Sequence, residues 1–449
     1  MPTIAQNEIL AKLPQHELKE SLREFMRPLT ELLPDVRLPA VAELTVQGIL
    51  SSESPVITHI ARGVAHSEQT IWQSSKRVYR FMSNPRFSYR SLRKGVYRIA
   101  QAAVRAQLRQ AHRSVSPAYL VSAVDPVNFE KPYTKALEGV STVHKSTPPA
   151  LNGEARLARG YPAITSTLVN LKQPTVTYAH WFSYRTADFL SQNHEVHCAF
   201  RVTKALFPRY KIRFVADSGL DDQKVFQQVQ ALEAEFAIRA KYDRVLQVYN
   251  PRLKRWEDGQ LFDLAQNVPL QFSDTVSFTH ARKVTKVKLG FGWLQIRLPE
   301  TQQVLWALVA HNLDRDRDLI LLTYVPLTSP RRVRQVYRDW RLRALSEHGY
   351  RFDQAQGLDL EDMRVQTVER MRRLFLLVLL AAQFVCYLQR TWSQRATQWI
   401  RQLGGALGLS QDRNGLYVLL HGIAAVWQAA ATFTFARLYP FPTDSQPCG

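Results

Sequence analysis

A chain of 449 residues with 45% hydrophobic content can build two or three sizeable cores, which excludes an intrinsically disordered polypeptide. Its 59 Lys and Arg against 38 Asp and Glu leave a formal net charge of +21, a field that attracts polyanions and makes nucleic acid the leading partner class. Cys198, Cys386 and Cys448 lack C-x-x-C spacing, so neither a zinc site nor a disulfide framework is indicated. Met1–Glu8 lacks a basic region followed by an apolar core, so a cytoplasmic protein is expected.

Residues 1–115 read as a helical domain, with apolar residues at helical spacing through Glu17–Leu33 and Val41–Leu50. Ser54-Pro55 opens a helical stripe that runs to Val64, and Ser67 is placed to cap a second helix, Glu68–Met82. The pair forms a helix-turn-helix-like pattern. Its second helix would offer Thr70, Gln73, Ser74, Lys76, Arg77 and Arg80 to base edges and phosphates of double-stranded DNA. The plainer alternative is a helical pair with a solvated basic face. From Gln69 to Val124 there is no Asp or Glu, and Arg86, Arg90, Arg93, Lys94, Arg98, Arg105, Arg109 and Arg113 extend the positive surface.

From Ala118 the pattern becomes strand-like: Ala118–Val124, Ala163–Leu171 and Thr175–Tyr184, separated by a polar loop at Gly139–Arg159. Helix Gln192–Leu206, strand Ile212–Ala216, helix Asp222–Leu232 and strand Ala234–Tyr242 follow, an order that predicts an α/β fold with a mixed sheet flanked by helices. Tyr249–Pro299 reads as an inserted β subdomain, so a domain at 116–359 is interrupted at 249–300. Strands Val304–His311 and Leu319–Tyr324 return to the sheet, a helix runs from Arg331 to Phe352, and 360–449 is a C-terminal helical region. Its most apolar run, Leu374–Leu388, is shorter than the ~20 residues that cross a bilayer. A buried core helix, with no membrane partner, is expected.

Three acids carry the chemistry. Asp125 and Asp217 each end an apolar strand-like run, and Glu347 lies within the predicted helix. Mg²⁺ takes hard oxygen ligands, and two such ions about 4 Å apart can serve both oxygens of an in-line phosphoryl displacement. Such a trio would repel strongly without cations. Trp340, Arg343, Glu347, Tyr350, Arg351 and Gln354 fall on one face of the predicted helix, so Arg343 and Arg351 could clamp phosphate beside the acid. Against this stand plainer readings: turn aspartates at strand ends, an exposed helical glutamate, and Asp221 and Asp222 as helix caps. Lys131 and Lys145 are expected to be solvated surface lysines.

The chain resembles the IS4-type DDE transposases, insertion-sequence enzymes with an RNase H-like core. The resemblance rests on the strand-ending Asp125, the turn Asp217-Ser-Gly-Leu220, the strand Phe236-Ala-Ile-Arg239, the strand Leu321-Leu-Thr323 and the helix Trp340-x2-Arg343-x3-Glu347-x6-Gln354. Trp340 stands where the family has Tyr, and Gln354 where it has Lys; Gln keeps a donor but loses the charge, which nearby Arg351 can supply. The resemblance implies an RNase H-like catalytic core in which Asp125, Asp217 and Glu347 bind Mg²⁺, with Mn²⁺ able to substitute. It further implies cleavage at the inverted repeats of an element, transfer of the freed 3′-hydroxyl into target DNA, a homodimer on DNA and association with the bacterial nucleoid. Alternatives are an RNase H-like nuclease without strand transfer and a domesticated DNA-binding copy.

Overall fold

The computed structural model describes residues 13–64, 70–111, 119–131, 136–144, 156–280, 283–314, 317–346, 358–405 and 415–438. One mixed sheet organises them, in the order β2-β3-β1-β5-β6-β12-β11-β10-β7-β8, with β4 also paired to β3 and β9 to β10. Its central strands are β1 (Tyr119–Glu130), β5 (Lys211–Ala216) and β6 (Glu235–Arg239), which run parallel to one another. β2 (Ser141–His144), β3 (Leu157–Leu168) and β4 (Thr175–Trp181) add antiparallel pairs on one side. β11 (Val304–Asn312) and β12 (Arg317–Thr323) add them on the other.

The α/β expectation holds, with one revision to the strand map. The 139–159 loop gives way at both ends, to β2 and to the first residues of β3. The strands over the expected 249–300 insertion belong to this sheet. β7 (Val245–Asn250), β8 (Arg255–Gln260), β9 (Phe272–His280) and β10 (Lys283–Arg297) continue the same sheet through nine β10–β11 register pairs, with the short helix α8 (Leu261–Gln266) between β8 and β9. The reason is hydrogen bonding: β11 would otherwise expose an unpaired edge.

Side-chain alternation along β1 assigns its two faces. Leu120 and Val124 pack with Val196, Phe200, Phe226 and Val229 of α6 (Gln192–Leu206) and α7 (Gln223–Ala231). Val121 and Ala123 point the other way, into a core with Val333, Val336 and Tyr337 of α9 (Pro330–Arg341). Further along that face, Phe129 belongs to a third core, shared with Tyr161 and Trp181 and with the helices at both ends of the chain. Asp125 therefore falls on the seam between the α9 core and the helical core.

The helical core joins α1 (Gln15–Thr30), α2 (Arg37–Ser52), α3 (Ile57–Gly63), α4 (Ile71–Ser83) and α5 (Tyr89–Ala111) to α10 (Val368–Thr391), α11 (Gln394–Leu403) and α12 (Leu416–Leu438). α10 is 24 residues, longer than the apolar run alone suggested, and by length and composition could cross a membrane; 72% of its most apolar window is nonetheless buried against neighbouring elements. Its charged end has structural work. Arg373, buried, donates to the carbonyls of Met82 and Asn84 at 2.8 and 3.0 Å, satisfying the last carbonyls of α4.

Candidate functional site

β1 and β5 place two of the three acids. Their parallel pairing ends at Ala123↔Val215, and two residues further along each segment come Asp125, still in β1, and Asp217, just past β5. The two carboxylates thus stand level, on one face, at the carboxyl end of a parallel pair, the usual location of sites in open α/β sheets. Asp125 does not end its strand, as expected, but lies inside it: β3 goes on pairing from Asp125↔Thr165 to Glu130↔Gly160 after β5 has turned away. The departure of β5 is what frees that flank. Asp217 caps a short 3₁₀ turn, Ser218–Leu220, and accepts the Ser218 N–H at 2.8 Å.

The helix expected over 331–352 stops at Arg341. Bonding then tightens to i→i+3, with Arg343 N–H to Trp340 O at 3.0 Å and Ser346 N–H to Arg343 O at 2.9 Å, before residues 344–346 resume helical geometry. Arg343 stays beside Trp340, with its guanidinium carbon 5.9 Å from the centre of the indole ring. Its Nη1 lies 3.2 Å from Asp125 Oδ1 and its Nη2 3.7 Å from Asp217 Oδ2. Ser346 donates its hydroxyl to Asp125 Oδ2 at 2.5 Å.

Glu347, Arg351 and Gln354 lie outside the described residues, as do Ser67 and Lys145. Trp340, read as sharing a helix face with Arg343, is half-buried, with its indole N–H donated to the Ala216 carbonyl at 2.9 Å. Two further contributors carried little sequence signal. Arg239 ends β6 level with Asp217, because Ala216 pairs with Ile238, and its Nη1 lies 3.8 Å from Asp217 Oδ1; only the Phe-x-Ile-Arg string hinted at it. Ser346 had no signal beyond preceding Glu347.

Other expectations change role. Asp222 does cap α7, accepting the Lys224 N–H at 2.7 Å, whereas Asp221 is buried against Arg244 at 2.7 Å and accepts the Lys241 N–H. Lys131 is not a surface lysine: it is buried, its ammonium donates to the carbonyls of Leu360, Glu361 and Met363, and burial pushes its pKa down to about 8.

Among the described residues no group of three or more His, Cys, Asp or Glu is arranged to hold a metal ion. The Asp125–Asp217 pair still suits a divalent cation, for two hard oxygen donors face one space and a positive group, the Arg343 guanidinium, already sits between them. That charge offsets the repulsion expected of clustered acids.

Two basic surfaces accompany the site. On α4, Gln73, Lys76, Arg77 and Arg80 are exposed with Trp72, and Lys76 lies over the Trp72 ring at 4.8 Å. Ser74 is buried, and the helix starts one turn later than expected: Thr70 is the N-cap, and Gln73 completes a capping box by accepting the Thr70 N–H at 2.9 Å. On α5, Arg90, Lys94, Arg98, Arg105 and Arg109 are exposed at spacings that keep them on one helical face. No protein-family model matches this chain, and a search of curated proteins finds no similar sequence.

Proposed function

We propose that this protein is a DNA transposase of the IS4-type DDE class, with an RNase H-like core that cleaves the ends of an element and joins them to target DNA. The observation that carries the reading is the convergence of Asp125 and Asp217 on Arg343, with Ser346, the residue before Glu347, bonded to Asp125. Two acids far apart in sequence meet at one point, together with the segment that leads into the third acid of the motif.

In this reading Asp125, Asp217 and Glu347 hold Mg²⁺ or Mn²⁺, which supplies activation of the attacking oxygen and neutralisation of the leaving one. Arg343 and Arg239 bind the scissile phosphate by charge-assisted hydrogen bonds. Ser346 keeps the Asp125 carboxylate turned towards the cleft. The exposed basic faces of α4 and α5 hold the duplex through its phosphates, which positions DNA without reading sequence. Arg351 and Gln354 would act on the same strand.

Cleavage and joining of duplexes bearing the terminal inverted repeats tests this, with Mg²⁺ and with EDTA. Asp125→Asn and Asp217→Asn should each lower cleavage by about 10³-fold, the several kcal/mol a catalytic cation supplies, while duplex binding persists. Cleavage without joining would favour the nuclease alternative; binding without cleavage in the unaltered protein would favour the domesticated copy.

A further inference from the structure

The Arg343 guanidinium sits where a cation shared by Asp125 and Asp217 would be attracted, which makes it a competitor for that cation as well as a phosphate ligand. Its two terminal nitrogens face different carboxylates, at 3.2 and 3.7 Å, so a dication bound to the facing oxygens would lie against a like charge while Arg343 stays in place. Mg²⁺ needs its oxygens at about 2.0–2.1 Å in near-octahedral order, and a guanidinium on the same oxygens would oppose it by like charge. We infer that Arg343 is an internal counter-cation that withholds Asp125 and Asp217 from divalent metal until a nucleic-acid phosphate draws it away, coupling phosphate binding to metal binding. The inference rests on the reading of this pair as a metal site.

The surroundings suit such an exchange. Arg343 follows the end of α9 in a tight turn, where a small dihedral change swings the side chain, and 17% of that side chain is exposed to the cleft. Its neighbours have bonds to the two strand segments themselves: Trp340 to the Ala216 carbonyl, and Ser346 to Asp125 Oδ2. When the guanidinium leaves, Asp125 keeps the Ser346 hydroxyl on Oδ2, and Asp217 keeps Arg239 near Oδ1. A phosphodiester is the natural competitor, because its paired oxygens match the guanidinium fork better than two separate carboxylates do. Linkage then requires that metal tighten phosphate binding by the factor by which phosphate tightens metal binding.

The test uses the full chain and Mn²⁺, with free ion counted by its electron paramagnetic resonance signal, in the presence and absence of a DNA duplex. Arg343→Met should bind Mn²⁺ roughly tenfold more tightly than the unaltered protein when DNA is absent, the ratio equivalent to about 1.4 kcal/mol of lost competition. DNA should raise the affinity of the unaltered protein and leave that of the variant unchanged. Arg343→Gln, neutral but hydrogen-bonding, carries the same expectation if the Met variant does not fold. Mn²⁺ binding that is no tighter in either variant, yet is lost in Asp125→Asn, overturns the counter-cation role and leaves the metal site intact. Binding indifferent to Asp125→Asn in every background overturns the metal site itself, and the counter-cation with it.

Discussion

Trp340 donates its indole N–H to the main-chain carbonyl of Ala216, 2.9 Å away, tying the end of α9 to the residue that precedes Asp217. One hydrogen bond thereby links the turn bearing Arg343 to the strand end bearing the second acid. Trp340→Phe keeps an aromatic ring in place and removes the donor, so unfolding free energy should fall by only about 1 kcal/mol. Catalysis depends more steeply on position, and cleavage should fall by roughly 10–10²-fold. Urea denaturation and a cleavage time course on the same preparation separate the two effects; equal loss in both would reduce Trp340 to a packing residue.

Arg213 of β5 is buried between Asp339 of α9 and Glu235 of β6, the latter at 2.7 Å, and the Tyr119 hydroxyl donates to Asp339 at 2.5 Å. Burial raises the Asp339 carboxyl, and burial with the Asp339 contact pushes the Tyr119 phenol up to about 12. Asp339→Ala strands the Arg213 charge and should cost about 3–5 kcal/mol. The double variant Arg213→Met, Asp339→Leu should be the more stable of the two, which chemical denaturation of both can check.

His180 is buried on β4, with Nδ1 2.8 Å from the Tyr89 hydroxyl and Nε2 3.6 Å from Glu195, which burial raises. Burial first, then Arg372 and Arg93, lowers His180 to about 3, against the opposing pull of Asp188 and with His194 acting in the same sense as the arginines. In the unfolded chain it takes a proton below its ordinary 6.5. Its stabilising contribution is therefore complete above pH 6.5 and is lost as pH falls from there towards 3. Glu195 works in the opposite sense, holding its proton longer in the folded state, and softens the loss only near its own ordinary range. Between pH ~6.5 and ~5 this histidine should cost about 1.5 kcal/mol of unfolding free energy. His180→Gln should flatten that part of the curve, and an unchanged slope in the variant would assign the pH dependence elsewhere.

On α4, Gln73 serves the helix start while Lys76, Arg77 and Arg80 face outwards. Thr70→Ala should lower stability by about 1 kcal/mol through the lost cap. Gln73→Ala should leave duplex affinity unaltered. Alanine at Lys76, Arg77 or Arg80 should instead weaken duplex binding across sequences and flatten its salt dependence by about one unit of slope per residue. Fluorescence anisotropy over a salt series reads both quantities, and a salt slope unmoved by all three would assign this face to solvent alone.

The amino-acid order was sufficient for the α/β class, for α6 to the residue, and for Asp217 at the end of a strand, because alternation and helical spacing are local properties. It also carried the long buried helix at the C-terminal end, whose apolar surface has to be covered by other elements. Register is not local: that Asp125 and Asp217 stand level, each two residues past Ala123↔Val215, follows from how β1 and β5 slide together. The same holds for β7–β10, whose backbone groups find partners in the main sheet, and for Arg343, which meets two acids from distant strand segments. Residue type fixed which groups could do chemistry; hydrogen-bond pairing across distant segments decided which of them meet.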